Sequence, residues 1–370
     1  MKPDAGWRRE LKTAITRPEE LIDLLDLDPG LLPAARAAAR PFGLLVPRGY
    51  AALMARSDPH DPLLRQVLPL AEERHGPPGF TTDPVGERAA VRRLGLLWKY
   101  QGRALLLLTD ACAIHCRYCF RRHFPYADGT AQLDGAAGAV GRLAADPSIH
   151  EVILSGGDPL LWDDAPLAAL IGRLAELPHL RRLRLHTRLP IVLPSRITAR
   201  LCHILRTSRL RPVVVVHTNH ARELGAAARG ALARLHDAGI VLLNQSVLLR
   251  GVNDSAHRLA ALSEALFECA VLPYYLHRLD RVLGAAHFEL DETAAIRILD
   301  RLRTRLPGYL VPRLVREVAD KPYKLPIDRE TPAEGVAKGD TRRGLGMDRH
   351  FQRPQAFENE GNGTSPCSDS

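Results

Sequence analysis

At 370 residues, 46% hydrophobic and 25% charged, the chain can bury one large core or two ordinary ones and carries the charge of a soluble protein. No apolar run approaches the roughly 20 residues of a membrane span, and the opening MKPDAGWRRELK lacks a secretory core segment, so a cytoplasmic protein with reduced cysteines and no membrane partner is expected. The formal charge of +9 comes from 51 basic residues, only six of them lysine; the arginines are scattered over helical surfaces without clustered aromatics, which argues against a nucleic-acid partner.

Residues 1–95 read as a helical N-terminal extension with Pro-rich connections, as in RPEELIDLLDL and DPLLRQVLPLAEERHGPPGF. From there, short β-rich apolar runs recur at 104–109, 150–155, 182–186, 212–217, 240–249 and 271–276. Segments of helical periodicity lie between them, such as DAPLAALIGRLAEL and ARELGAAARGALARLHDAG. Strand then helix, repeated, predicts a parallel α/β sheet whose strands are buried on both faces. Six such units curl into a partial (β/α)6 TIM-like barrel over 96–328, with a flat doubly wound sheet as the alternative. Beyond 329 the chain turns polar and turn-rich, so 329–370 is expected to be a disordered tail holding an isolated Cys367.

In parallel α/β folds ligands gather past the carboxyl ends of the strands. Past the first run stands Cys112-x3-Cys116-x2-Cys119, with Tyr118 before the third cysteine. A structural zinc wants four ligands, usually in two separated pairs, and no such second pair exists. Three thiolates on one loop suit three irons of a [4Fe–4S] cluster, leaving the fourth iron open. The motif resembles that of the radical S-adenosylmethionine enzymes. That resemblance implies S-adenosylmethionine on the open iron, with the turn Ser155-Gly156-Gly157-Asp158 meeting its methionine end. Polar residues ending the later strands, His220 in HTNH and Gln245 in NQSVLLRGVND, suggest a lined cofactor cavity.

Two lysines, Lys321 and Lys324, fall in PGYLVPRLVREVADKPYKLPID; the residues alone do not choose between them as the amine for pyridoxal phosphate. Taken together, CRYCFRRHFPY, SGGDPL, NQSVLLRGVND, YYLHRLDRV and GYLVPRL resemble the lysine 2,3-aminomutase family. The likeness runs from about residue 5 to 328 and is strongest to its elongation factor P (R)-β-lysylation branch. It implies an isomerase that shifts the amino group of L-lysine from the α- to the β-carbon, using the cluster, S-adenosylmethionine and pyridoxal 5′-phosphate. It implies Lys324 as the Schiff-base lysine and Arg103 as a pyridoxal phosphate ligand. Arg121 would grip the substrate α-carboxylate, and Asp280 and Glu317 the distal ammonium; Lys99 is left without a role. The branch implies (R)-β-lysine, a functional link to elongation factor P and to the synthetase-like enzyme that attaches it, with homo-oligomerisation open. The competing readings are a metabolic enzyme making free (S)-β-lysine and, from another class, a non-catalytic iron–sulfur protein.

Overall fold

The computed structural model describes residues 6–90, 95–124, 133–319 and 321–329. They all fall within one compact unit, Met1–Pro332, and the expected tail lies almost wholly outside the described residues.

All six expected strands form: β2 (Arg103–Thr109), β3 (Glu151–Gly156), β4 (Arg182–Thr187), β5 (Arg211–Val216), β6 (Val241–Val247) and β7 (Leu272–His277), each following a short antiparallel β1 (Leu96–Tyr100) in chain order. Neighbours from β2 to β7 pair in parallel. The run read as 240–249 stops at Val247, where the backbone leaves the sheet. Three strands were not anticipated: β1 itself, β8 (Arg313–Arg316), which adds a seventh parallel strand, and β9 (Leu325–Pro326), which turns back antiparallel beside it. Spatial order equals chain order, β1 to β9. Residues of β1 to β4, β6 and β7, with His217 just past β5 and the loop after β8, line one common cavity, so the sheet curls around it.

The apolar runs explain the layering. Every residue of β3 is buried, as a strand covered on both faces requires. The covering helices are amphipathic: in Ala199–Thr207, Leu201, Cys202 and Leu205 face inward. Thr198, Ser255 and Asp291 cap three of these helices by accepting backbone N–H bonds from Leu201, Arg258 and Ala294. The N-terminal extension is not a separate layer. Trp7, Ile15, Leu21, Tyr50 and Leu64 share one apolar core with Leu106, Val152 and Leu185 of the strands. Among the described residues no helix is long and apolar enough to cross a membrane.

Candidate active site

The cysteine loop leaves β2 and is at once gripped by the N-terminal extension. His115 N donates to Leu45 O at 3.0 Å and Arg117 N to Gln66 O at 2.8 Å. Arg117 has a fully buried side chain. It donates through Nε and Nη2 to Glu73 at 2.8 and 2.5 Å, and through Nη1 to the carbonyls of Phe42 and Gly43 at 2.8 and 3.1 Å. Arg122 donates to the same Glu73 at 2.7 Å and to Gly284 O at 3.1 Å. A carboxylate shared by two buried guanidiniums offsets the cost of taking all three charges out of water. Nothing local in the sequence signals this pairing.

Cys112, Cys116 and Cys119 are unpaired thiols lining the cavity. Burial, with the neighbouring sulfurs adding to it, pushes Cys119 up to about 11 and Cys112 well above the usual thiol range. A metal bound there would have to displace those protons. Among the described residues no three donors converge closely enough to hold a single metal ion. Arg188 Nη1 donates to Cys116 Sγ at 2.7 Å, while its Nη2 reaches Tyr50 Oη, Gln66 Oε1 and Glu223 Oε2 at 3.2, 2.8 and 2.8 Å.

The Gly-Gly turn after β3 presses against the same loop. Gly156 adopts φ +128°, and a Cβ on it would sit 2.4 Å from Thr109 O; one on Gly157 would sit 2.1 Å from Ala111 O. Only glycine allows that approach. Gly157 N and Asp158 N then donate to Thr109 O and Ala111 O at 2.6 and 2.8 Å. The Asp158 carboxylate is committed within the protein. It accepts from Thr187 Oγ1, Arg188 N and Leu160 N at 2.8, 2.7 and 3.1 Å, and burial pushes its pKa up to about 6. The turn thus offers a ligand its backbone, with Asp158 as the brace.

The same cavity, of about 270 Å³, is also lined by Lys324, Glu317, Asp280, Arg103 and Gln245. Lys324 Nζ pairs with Glu317 Oε2, and Tyr100 hydrogen-bonds the same carboxylate. The rings of His186, His217 and His277 complete the wall. Burial holds His217 down to about 3 and the other two well below the usual imidazole range, so all three are neutral. The Gln245 amide meets His217 Nε2 at 2.6 Å.

Arg121 lines the cavity as well. It donates through Nε and Nη2 to Glu87 at 2.7 and 2.8 Å, and through Nη1 to Ser155 Oγ and Gly156 O at 3.1 and 3.3 Å. Of the described residues singled out from sequence, two do not line the cavity. His220 instead caps the turn Ala221–Glu223, its Nδ1 accepting from Arg222 N at 3.2 Å; the strand ends at Val216, so His217 is the residue delivered to the cavity. Lys321 is exposed, and the side chain of Lys99 lies outside the described residues. The residues that sequence reasoning missed are Glu73, Glu87, Tyr100, Arg188 and the three histidines.

Residues 106–262 match the family model of the Radical SAM superfamily. The chain is 48% identical over 323 residues to the L-lysine 2,3-aminomutase of Escherichia coli (strain K12), covering 87% of this chain and 94% of that protein. The Haemophilus influenzae protein of the same name is 43% identical, with 88% and 96% covered. That of Clostridium subterminale is 34% identical, with 87% and 77% covered. The chain belongs to the lysine 2,3-aminomutase family. It is therefore an isomerase of the radical SAM type, which works with a [4Fe–4S] cluster and S-adenosylmethionine, and the cavity walls fit such groups. Besides three thiols on one wall, four lining residues carry buried nitrogens without a hydrogen-bond partner: Arg103 Nε, His186 Nε2, Arg188 Nε and His277 Nε2. Donors of this kind are costly unless a polar ligand meets them.

Proposed function

We propose that the protein converts L-α-lysine to (R)-β-lysine and so supplies the modification of elongation factor P by its synthetase-like partner enzyme. The reading is supported above all by the company the cavity keeps. The residues lining a single space of about 270 Å³ include three thiols, the Arg121 guanidinium, the Asp280 and Glu317 carboxylates and the Lys324 amine. That set matches an α-amino acid with a cationic side chain and disfavours glutamate or leucine, which would leave charges unpaired.

When bound, the cluster and S-adenosylmethionine supply a radical that removes the substrate's β-hydrogen, and pyridoxal 5′-phosphate supplies the π-system that lets the nitrogen migrate. Cys112, Cys116 and Cys119 would hold three irons. The backbone of Ser155, Gly156 and Gly157 would meet the methionine end of S-adenosylmethionine, braced by Asp158. Lys324, whose Nζ pairs with Glu317 Oε2, would carry pyridoxal 5′-phosphate through that amine. Arg103, whose Nε has no protein partner, would face the phosphate, and Gln245 the cofactor ring. Arg121 would hold the substrate carboxylate through a planar fork suited to it. Asp280 and Glu317 would hold the distal ammonium, and the neutral histidines would not repel it. The reduced thiols this requires support a cytoplasmic location.

The test is anaerobic reconstitution with iron, sulfide and pyridoxal 5′-phosphate, then incubation with L-lysine, S-adenosylmethionine and dithionite. Lysine-dependent 5′-deoxyadenosine and (R)-β-lysine on chiral analysis are expected. An (S) product would remove the elongation factor P reading; no deoxyadenosine at all would remove the aminomutase reading.

A further inference from the structure

The fork that is to hold the substrate carboxylate already holds a carboxylate of the protein. Glu87 meets Arg121 side-on through Nε and Nη2, both bonds below 2.9 Å, with side chains only 5% and 10% exposed. The bonds on the other edge are longer: Nη1 reaches Ser155 Oγ at 3.1 Å and Gly156 O at 3.3 Å, both neutral acceptors. Charge-assisted bidentate bonds are the stronger class and single bonds to neutral acceptors the weaker. An incoming carboxylate therefore replaces the Nη1 contacts and leaves Glu87 in place.

Glu87 is itself well anchored. Asp83 caps its turn, accepting from Glu87 N at 2.9 Å and Arg88 N at 3.1 Å. Arg88 Nη2 donates to His123 O at 3.2 Å, tying the turn to the end of the cysteine loop. On its other side Gly86, at φ +65°, lies so close to Ala319 that a Cβ would stand 3.0 Å away. The turn is thus wedged between the cysteine loop and the loop that carries Lys324.

We propose that Glu87 is a positioning residue: it fixes the plane of the Arg121 guanidinium so that its Nη1 edge meets the substrate carboxylate. This rests on Arg121 as the carboxylate ligand, and the experiment separates the two. The holoprotein, with cluster and pyridoxal 5′-phosphate, is titrated with L-lysine and with 1,5-diaminopentane, which keeps both amines and lacks the carboxylate. Binding is read from the visible absorption of the cofactor, without turnover. Wild type binds lysine more tightly than the diamine. Glu87→Ala weakens lysine roughly tenfold or more, as expected for truncating one partner of a buried charged pair, and leaves the diamine within about twofold. Glu87→Gln, which keeps one acceptor, falls between and decides the matter if the alanine variant does not fold. A lysine affinity that is unchanged or tighter in either variant overturns the proposal, as does an equal loss for both ligands. Arg121→Met is the control. If it spares the preference for lysine over the diamine, the Arg121 assignment fails; if it abolishes that preference and the Glu87 variants do not, only the positioning role fails.

Discussion

The two ends of the cavity are built on different principles. At the cysteine end most polar groups are satisfied within the protein, Arg122 Nε and Arg188 Nε excepted. Arg117 and Glu73 are almost wholly buried and bonded to one another, and the Gly-Gly turn is locked to the cysteine loop by 2.6 and 2.8 Å backbone bonds. At the lysine end the polar groups stay open to ligands. Lys324 and Glu317 keep 19% and 16% of their side chains exposed, Arg103 Nε and His277 Nε2 have no protein partner, and Tyr323 is 56% exposed. Saturated polar networks rigidify, whereas buried donors without a partner favour ligand binding. A cluster needs three sulfurs held at fixed positions before iron arrives. A cofactor lysine needs a reachable amine and donors waiting for a phosphate.

The comparison breaks most readily at Glu73. Glu73→Ala leaves Arg117 and Arg122 buried without their shared carboxylate, and such a loss costs about 3–5 kcal/mol. Urea unfolding should show it, and reconstituted protein should retain far less iron. A variant that unfolds like wild type would mean the cysteine end is not pre-built. Next in size, Gly157→Ala drives a Cβ against the Ala111 carbonyl, which is backbone and cannot rotate away. A loss of about 2 kcal/mol is expected, in the range of strained-backbone substitutions, again with poor iron retention.

What the sequence disclosed follows the same divide between local and distant. The strands were legible because most hold a near-continuous apolar run, β4 (RLRLHT) alternating instead, and the cysteine motif because its three thiols sit within eight residues. Lys324 was separable from Lys321 only by family resemblance. The bracing charges were illegible because their partners are remote: Arg117 and Glu73 are 44 positions apart, Arg121 and Glu87 are 34, Arg188 and Cys116 are 72. Taken singly, a Glu or Arg reads as surface, since charged residues are almost never buried unless paired. Three strands of five, four and two residues gave too short a pattern to register. His217 could have been preferred to His220 on one available signal, the first polar residue after an apolar run.

Between the two ends, the histidine wall sharpens the comparison through pH. Burial depresses His217 from 6.5 to about 3. Its contribution to stability is then complete above 6.5 and is lost as pH falls toward 3. At pH 5 the linkage amounts to about 2 kcal/mol for this one residue. His186 and His277 act in the same sense. Asp158, raised to about 6, acts oppositely: its contribution is complete below 3.8 and is lost as pH rises through 6. Three histidines outweigh one aspartate, so the urea midpoint should fall between pH 7 and pH 5, and His217→Gln should flatten that fall. A midpoint that rises over this range would place charged imidazoles in the wall.

The smallest effect on stability is expected where the effect on chemistry is greatest. The Lys324–Glu317 pair is partly exposed, and pairs with access to water contribute only about 0–1 kcal/mol. Lys324→Met should therefore unfold within about 1 kcal/mol of wild type and keep its iron. It should nonetheless lose the visible absorption of covalently held pyridoxal 5′-phosphate, and with it all β-lysine formation. Glu73→Ala inverts the pattern, with stability and iron lost while Lys324 and its partners are untouched. If Lys324→Met proved as destabilising as Glu73→Ala, the lysine end would be a structural network like the other. Its exposed amine would then need another explanation than waiting for a cofactor.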